Sequence, residues 1–483
     1  MHDAAVAERI SWIPSWADPD ALELVVAGGD GPSYSLQRPL LGAWRDVGAG
    51  LREARRALQA TPIAEIVEAI DEVAAQWCER DWPVRRAACA RAAAATGFSE
   101  EVVDRSFDVE LRNYRADSLW RALRRELGDP AVLDGPRPDP VLGGLTTASS
   151  HGIVLAIFTG NVPGLPALSI VRALLTKSAF VAKVAAAEPT FAGEFVRTLA
   201  EADPRLGDAG LVTYWERDDV DTRAAVFALA DVVIAYGGDE SCAAARAATG
   251  PHQRFLEHGH RLSVGLVTRA FRAGEGDAAV ARAIARDTSM FNQHACIAPQ
   301  AYLVEGGHDD VARFCATIAH ALDDHARECP LGDPPLEQAA ALQLRRADAH
   351  YRAAASAGRR LWAGRDWAVA LDDELDAAAT GDRMLRVLPV DGPAAAVELL
   401  RPYGDRLQNV AVGATDAETP ALVQALAGLG ATRVCAPGAM AEPSLAWRHD
   451  GRMCIAELVR WCDVEMHPWT SPDREEQGWA ATR

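Results

Sequence analysis

The chain has 483 residues, of which 49% are hydrophobic and 24% charged, as in ordinary globular proteins of two or three domains. Its 68 acidic and 49 basic residues give a formal net charge of −19, which argues against a nucleic-acid partner and against binding to anionic membranes. The nine cysteines form no CxxC or CxxxC pair, and the N-terminus has no apolar signal-peptide core, so we expect a reducing, cytoplasmic location.

The first 145 residues have the spacing of helices. Apolar residues recur at helical intervals in residues 43–60, 63–79, 84–96 and 107–127. Residues 128–144 are rich in proline, glycine and aspartate, which predicts a linker or an extended connection. We therefore expect a helical N-terminal region.

Residues 152–171 (GIVLAIFTGNVPGLPALSIV) carry no charge, and a segment of this length could cross a bilayer. The GNVPG run at 160–164 and Pro166 interrupt it, so a strand, a loop and a helix start explain it better. We predict no membrane span.

From residue 152 onward, short apolar runs alternate with helical patterns. The predicted strands are 152–158, 179–184, 209–214, 232–236 and 261–267, separated by helices at 166–175, 189–202, 221–230 and up to 248. This alternation is typical of a doubly wound parallel sheet. A second α/β lobe follows, with predicted strands at 300–305, 367–371, 384–388, 409–412 and 432–436.

Three features fall at the ends of predicted strands, where parallel sheets bind their ligands. Glycine-rich turns let backbone N–H groups approach a phosphate, a lysine can meet ribose or phosphate, and an asparagine amide can donate to an oxyanion. No GxGxxG follows any of these strands, so the ordinary Rossmann fingerprint is absent. The features are Thr159-Gly160-Asn161, Lys183 and Gly237-Gly238.

Cys296 lies in a short polar stretch, SMFNQHACIAP (289–299), with Asn292, Gln293 and His294 just before it. A cysteine in such a loop is a candidate nucleophile, which needs a base, a dipole or a cation nearby. The residues alone leave open the alternative of a small buried apolar side chain.

Three histidines, His252, His258 and His260, include the HxH spacing that zinc ligands use. No cysteine or carboxylate completes a recognised pattern around them. We therefore predict a solvated turn there and no metal.

Five segments, GNVPG, LLTKSAFVAKV, ADVVIAYGGDES, GHRLSVGLV and FNQHACIAPQ, occur in this order. Together they resemble the LuxC-type acyl-CoA reductases, a branch of the aldehyde dehydrogenase superfamily, over residues 151–300 and more weakly to 463. The resemblance implies an aldehyde dehydrogenase-like fold. Residues 1–145 would be the helical N-terminal part of the cofactor domain, 146–267 its Rossmann-like core, 268–465 the catalytic domain and 466–483 a C-terminal tail.

The resemblance also implies roles for particular residues. Cys296 would take the acyl group from a thioester, and the Asn161 amide with the Cys296 backbone N–H would form the oxyanion hole. We expect His294 to assist proton transfer. The implied cofactor-binding residues are Thr159, Gly160, Lys183, Gly237 and Gly238.

The chain departs from the oxidising members of the superfamily, and Ala186 and Glu257 are the positions that bear on cofactor and chemistry. Ala186 replaces an acid that binds ribose hydroxyls and repels a 2′-phosphate, although Glu188 follows two residues later. Glu257 in FLEHGHR resembles their water-activating glutamate, which a reductase does not need.

We predict that the protein uses NADPH, with NADH as the alternative, to reduce an acyl-CoA or acyl-carrier-protein thioester to an aldehyde. The intermediate would be an acyl-cysteine, and the superfamily implies a homo-oligomer. Two other functions stay open. A Glu257 within reach of Cys296 would favour an aldehyde-oxidising dehydrogenase, and a lack of NAD(P)H binding would indicate a cysteine acyltransferase.

Overall fold

The computed structural model describes residues 10–28, 32–376 and 381–465. The predicted C-terminal tail, 466–483, and residues 1–9 of the predicted N-terminal region lie outside the described residues. Within the described part, no helix is both long enough and apolar enough to cross a membrane.

The N-terminal region is mainly helical, as predicted, but it begins with two antiparallel strands, β1 (Leu22–Ala27) and β2 (Tyr34–Pro39). In β1 the exposed residues Leu24 and Val26 alternate with less exposed ones, which is the spacing of a strand and not of a helix. Five helices and two further strands follow: α1 (Trp44–Ala60), α2 (Ile63–Cys78), α3 (Pro83–Thr96), α4 (Glu100–Leu111), α5 (Ala116–Leu127), β3 (Arg137–Asp139) and β4 (Gly144–Ser150).

The predicted helix at 107–127 is wrong as a single element, because α4 and α5 are separated by a short 3₁₀ turn, Arg112–Tyr114. The amide of Asn113 donates to the carbonyls of Val109 and Pro443, each at 3.2 Å, and Arg115 takes an extended conformation. This side chain fixes the turn to the C-terminal part of the chain, which helical spacing does not reveal.

The first sheet has five parallel strands in the order β7-β6-β5-β8-β9, and it confirms the predicted doubly wound architecture. Its first strand lies at the centre, so the order reverses there and opens a crevice at the carboxyl ends. The elements are β5 (Ile153–Ile157), α6 (Pro166–Leu175), β6 (Ala179–Lys183), α7 (Phe191–Ala202), α8 (Pro204–Asp208), β7 (Gly210–Thr213), α9 (Val220–Phe227), β8 (Val232–Tyr236), α10 (Asp239–Ala248) and β9 (Arg254–His258).

The second sheet has seven strands in the order β12-β13-β14-β11-β10-β15-β16, of which the pair β12–β13 is antiparallel and the rest are parallel. Helices cover it on both sides. The elements are β10 (Leu262–Val267), α11 (Arg269–Glu275), α12 (Asp277–Ser289), β11 (Ala301–Glu305), α13 (His308–Glu328), α14 (Leu336–Ala355), β12 (Arg360–Ala363), β13 (Ala368–Leu371), β14 (Met384–Val390), α15 (Pro393–Leu400), β15 (Leu407–Gly413), α16 (Thr419–Leu429) and β16 (Arg433–Cys435).

The predicted strand at 261–267 is not the fifth strand of the first sheet. It forms β10, which pairs with β11 and β15 in the second sheet, and the fifth strand is β9. All six residues of β10 are buried, as suits a central strand, whereas β9 is an edge strand that buries only Leu256. The domain limits at 145, 267 and 465 stay predictions.

A third, antiparallel sheet joins distant parts of the chain, in the order β17-β4-β3 with β17 (Val459–Val464). Val459 pairs with Ser150, directly before β5. The carboxyl ends of the first sheet face the loops that precede β11 and β14, and the loop before β11 carries Cys296.

Candidate functional site

A cleft of about 870 Å³ lies where the strand ends of the first sheet face the loops of the second. It brings together most of the residues that the sequence predicts: Thr159, Gly160, Asn161, Gly237, Gly238, His294 and Cys296. Lys183 is not among the residues that line it.

The Cys296 side chain is exposed to the cleft, but protein surrounds the sulfur closely. Because the surrounding protein excludes water from the sulfur, the pKa of the thiol is raised to about 12, and the charge of Asp450 adds to the effect. Hydrogen bonds from Gln408 and from the backbone N–H of Cys296 act in the opposite direction and do not overcome it. The thiol is therefore protonated at neutral pH, so an attack by this sulfur requires a base.

The loop before Cys296 has an unusual backbone. Phe291, Asn292 and Gln293 have φ angles of 51°, 48° and 66°, three consecutive non-glycine residues in the left-handed region. Such residues each cost on the order of 1 kcal/mol or more and persist only where surrounding contacts hold them. The loop is thus held in place by its neighbours.

Asn292 and Gln293 supply those contacts. The amide nitrogen of Asn292 donates to the Leu331 carbonyl at 2.9 Å, and its oxygen accepts from Arg383 Nε at 3.0 Å. The amide nitrogen of Gln293 donates to the Pro299 carbonyl at 2.7 Å. Both side chains are buried, so these polar neighbours of Cys296 are anchors of the loop.

Asn161 ties the first sheet to this loop. Its amide nitrogen donates one hydrogen to the carbonyl of His294 at 2.7 Å, while its oxygen is buried without a partner. The same nitrogen carries a second hydrogen. The predicted oxyanion donor therefore lies beside the Cys296 loop and already positions it.

His294 is held on several sides. Its Nε2 lies 2.8 Å from Asp382 Oδ1 and 2.9 Å from Gln338 Nε2, and its ring stacks on Phe98 with centroids 5.7 Å apart. Burial would raise the pKa of Asp382, but hydrogen bonds and charge from His294, Gln338 and Arg345 lower it below its ordinary value. This histidine therefore joins the Cys296 loop to α14.

A second histidine–carboxylate pair lines the same cleft and was missed from the sequence. His258 Nδ1 lies 2.7 Å from Asp450 Oδ2, and the His258 ring stacks between Tyr236 and His449, with centroids at 4.7 and 4.2 Å. Burial lowers the pKa of His258, so it is neutral at pH 7. Because Nδ1 bonds to the carboxylate, Nε2 is the nitrogen left for chemistry.

The predicted solvated turn is wrong for His258, whose side chain is only 10% exposed. The signal that could have found it is the neighbouring sequence LEHGHR, but its partner Asp450 lies 192 residues away.

His258, His449 and Asp450 could together hold a metal ion, because their ligand atoms lie within 4.8 Å of one another. Asp450 is already engaged, however, by Gln408 Nε2 at 2.7 Å and by Arg261 Nε at 3.2 Å. The guanidinium next to the carboxylate opposes a cation, so we assign these residues to the hydrogen-bond network of the cleft.

The strand-end glycines Gly160 and Gly238 have different surroundings. A Cβ on Gly160 would lie 2.8 Å from the backbone nitrogen of Glu188, so a side chain there would collide with the adjoining loop. Gly238 is the N-cap of α10, with no side-chain cap and open space around it. Thr159 lines the cleft beside them, and the start of α10 at Gly238 gives this end of the cleft open space.

Lys183 lies at the end of β6, with Nζ 5.1 Å from the ring centre of Tyr214 and 5.7 Å from that of Trp215. Burial lowers the pKa of Lys183. The ammonium group of Lys183 therefore packs over two aromatic rings at the end of β6, beside the cleft.

The two glutamates that the sequence left open do not line the cleft. Glu188 is buried and accepts from the backbone nitrogens of Thr190 and Phe191 at 2.9 and 3.1 Å, where α7 begins. Glu257 binds Arg246 on α10 at 2.5 Å. Both carboxylates are thus engaged with the protein itself.

Solved structures share this architecture. Aldehyde dehydrogenase 21 from Physcomitrella patens superposes with a TM-score of 0.72 at 13% identity, covering 96% of this chain and 99% of that one. An NAD-dependent benzaldehyde dehydrogenase from Corynebacterium glutamicum gives 0.70 at 17% identity, covering 94% and 97%. The chain has the aldehyde dehydrogenase fold.

The chain belongs to the acyl-CoA reductase (LuxC) family, whose model matches residues 58–461. A long-chain acyl-protein thioester reductase of Aliivibrio fischeri is 27% identical over 286 residues, which are 58% of this chain and 58% of that protein. A protein of the same description from Photorhabdus luminescens is 23% identical over 283 residues, 58% of this chain and 57% of its own length. The aligned part thus spans somewhat more than half of these relatives.

Proposed function

We propose that this protein reduces an acyl thioester to an aldehyde, through an acyl group carried on Cys296 and with a reduced nicotinamide as the hydride source. The observation that carries the proposal is the position of Cys296. Its thiol opens into the cleft that the strand ends of a parallel sheet line, in a chain of the acyl-CoA reductase family.

The residues present fit a nicotinamide nucleotide. Gly238, at the start of α10, leaves open space for a pyrophosphate, and Lys183 stands at a neighbouring strand end for the adenosine ribose or its 2′-phosphate. Ala186 carries no charge and Glu188 points into the protein, so neither repels a 2′-phosphate. This favours NADPH over NADH as the cofactor.

His258 serves as the base in the acylation step. Its neutral imidazole takes the proton of Cys296 as the sulfur attacks the thioester carbonyl, which offsets the raised pKa of the thiol. The second hydrogen of the Asn161 amide and the Cys296 backbone N–H hold the tetrahedral oxygen. When the C–S bond to the carrier breaks, the carrier thiolate leaves with the proton from His258.

A bound nicotinamide supplies hydride to the acyl carbon. Asn161 and the backbone N–H again hold the oxygen, and its release as an aldehyde returns the sulfur of Cys296. His258 then sets the protonation state of that sulfur for the next cycle.

The alternative of an aldehyde-oxidising dehydrogenase would be favoured by Glu257 within reach of Cys296. Glu257 instead binds Arg246 and does not line the cleft. This supports the reductase.

We further propose that the protein works in the cytoplasm as a homo-oligomer, on an acyl group carried by coenzyme A or by an acyl carrier protein. All nine cysteines are free thiols, which suits a reducing compartment. The β17-β4-β3 sheet leaves Trp461 42% and Val464 41% exposed, as suits a surface that a second subunit covers.

The test incubates the purified protein with acyl-CoA or acyl carrier protein thioesters and either NADPH or NADH, and measures aldehyde. Without cofactor, we expect the intact mass to rise by one acyl group, on Cys296. Acylation that persists in Cys296→Ala, or thioester consumption without aldehyde, contradicts the proposal.

A further inference from the structure

A row of five rings runs from the end of β5 to the segment before β17, and three of its members line the cleft. Ring centroids lie 6.0 Å apart between Phe158 and Tyr236 and 4.7 Å apart between Tyr236 and His258. The row continues from His258 to His449 at 4.2 Å and from His449 to Trp447 at 4.7 Å. Because successive ring planes differ by no more than 30°, the row forms one continuous stack.

The row is anchored on both sides of the cleft. The hydroxyl of Tyr236 lies 3.0 Å from Ser169 Oγ on α6, which packs on the first sheet. At the other side, Trp447 Nε1 donates to the carbonyl of Thr432, just before β16 of the second sheet, at 3.2 Å. The two histidine rings between these anchors are therefore held from both sides.

His449 meets the site through ring contacts. Its side chain is buried at the edge of the cleft, and its Nε2 has no hydrogen-bond partner among the residues that the structure describes. Asp450 Oδ2 lies 3.9 Å from that nitrogen but 2.7 Å from His258 Nδ1, so of the two rings the carboxylate bonds only to His258. Burial lowers the pKa of His449 well below its ordinary value, so this ring is neutral at pH 7.

The proposed base needs such a neighbour. The hydrogen bond to Asp450 fixes one atom of the His258 ring, whereas the rings of Tyr236 and His449 on its two faces fix its plane. A base must lie within hydrogen-bond reach of the proton it takes, and a misplacement of about 1 Å can cost roughly 10² in rate. The plane of the His258 ring therefore decides how well Nε2 serves Cys296.

We propose that His449 is a positioning residue for His258: its ring, supported by Trp447, holds the His258 imidazole against Tyr236 in the plane that presents Nε2 to Cys296. The inference rests on the proposed function, in which His258 is the base of the acylation step. Because His449 acts through a flat ring, phenylalanine can replace it and an aliphatic side chain cannot. Because it acts through the base, it serves acylation and not hydride transfer.

The test separates the two half-reactions, with the thioester that the wild-type protein accepts. Acylation is followed without cofactor, as release of the carrier thiol in a single turnover, and reduction is followed by adding NADPH to the acyl-enzyme formed beforehand. In His449→Leu we expect acylation to slow by about 10- to 100-fold, with the rate of reduction unchanged. His449→Phe should restore most of the lost acylation rate.

Two further variants show whether His449 acts through the base. Added to His258→Ala, His449→Leu should cause no further loss of acylation rate, because residues that act as a unit are not additive. Trp447→Leu removes the support of the same ring, so it should also slow acylation and leave reduction unchanged. This variant keeps the test decisive if His449→Leu does not fold.

Other results would overturn the role of His449. These are equal slowing of both half-reactions in the two leucine variants, a defect in His449→Phe as large as in His449→Leu, and a further loss in the His258→Ala background. A wild-type rate of acylation in His449→Leu would do the same. If the wild-type protein forms neither acyl-enzyme nor aldehyde from any thioester offered, it is the proposed function that fails.

Discussion

Two histidine–aspartate pairs lie in one cleft and differ in the ring nitrogen through which the histidine binds the aspartate. His258 meets Asp450 at 2.7 Å and His294 meets Asp382 at 2.8 Å. Each aspartate side chain is 1% exposed, and each has a positive φ, 55° and 53° respectively. By residue type, distance and burial the two pairs are nearly the same.

The ring nitrogen that is bound separates them. His258 uses Nδ1 and lies between two aromatic rings, so Nε2 stays available. His294 uses Nε2 to bind Asp382, and the Gln338 amide nitrogen lies 2.9 Å from that same nitrogen. In the proposed mechanism the first pair orients a base, while the contacts of the second tie the Cys296 loop to α14. Nearness to the nucleophile in sequence, which favours His294, does not decide which histidine does the chemistry.

The largest effect is expected from Cys296→Ala, which removes the sulfur that we propose carries the acyl group. Acyl-enzyme and aldehyde should both be lost, as measured by intact mass and by aldehyde trapping. Adding His258→Ala to this variant should cause no further loss, because residues that act as a unit are not additive. Residual aldehyde formation in Cys296→Ala that falls when His258→Ala is added would mean that His258 acts independently of the thiol.

His258→Ala should lower kcat by about 10²- to 10⁴-fold, the usual contribution of a general base. In the wild-type protein, kcat/KM should fall as pH drops through the pKa of His258, which burial places below the ordinary value. In His258→Ala, kcat/KM should no longer fall at low pH in this way. His294→Ala is the matched control and should keep the fall. If His294→Ala instead abolishes the fall, His294 and not His258 is the base.

Asn161→Ala should lower kcat by roughly 10²- to 10³-fold, as for other oxyanion donors. The amide also donates to the His294 carbonyl, so its removal affects the second pair as well. Thermal unfolding distinguishes the two effects. A large fall in kcat with little change in Tm indicates the oxyanion role, and a proportionate loss of both indicates positioning alone.

Asp382→Asn should destabilise the fold by about 1–3 kcal/mol, because it weakens buried hydrogen bonds to His294, Gln338 and Arg345. Its effect on kcat should be less than that of Asp450→Asn, which disturbs the base. Denaturant unfolding and steady-state rates on the two variants give the comparison. If Asp450→Asn changes stability alone, the pairs have the same structural role.

The smallest effect is on the pH dependence of stability. Burial lowers the pKa of His258 and lowers that of His449 further, so both stay neutral in the fold where the unfolded chain takes up protons near pH 6.5. Their contribution to stability is complete above that pH and declines as pH falls below it. Denaturant midpoints between pH 7 and 5 should fall less steeply in His258→Ala than in the wild type.

The sequence predicts the parallel strands well, because buried strands such as β5 and β8 are continuous apolar runs. It also selects Asn161, in the loop after β5, and Cys296, in the loop before β11, and both line the cleft. It misplaces β10, since an apolar run does not say which sheet it joins. It misses the pair His258–Asp450, because the two residues meet only through packing between distant segments.

The left-handed backbone before Cys296 has a counterpart, since Gly381, Asp382 and Arg383 have φ angles of 61°, 53° and 57°. The two triplets hold each other through Asn292 and Arg383, whose side chain is fully buried. Because each triplet relies on the other to hold its left-handed backbone, we expect the two loops to open as one cooperative unit. In hydrogen exchange, the amides of both should share one opening free energy, and the nucleophile should be in its working position only while that unit is closed.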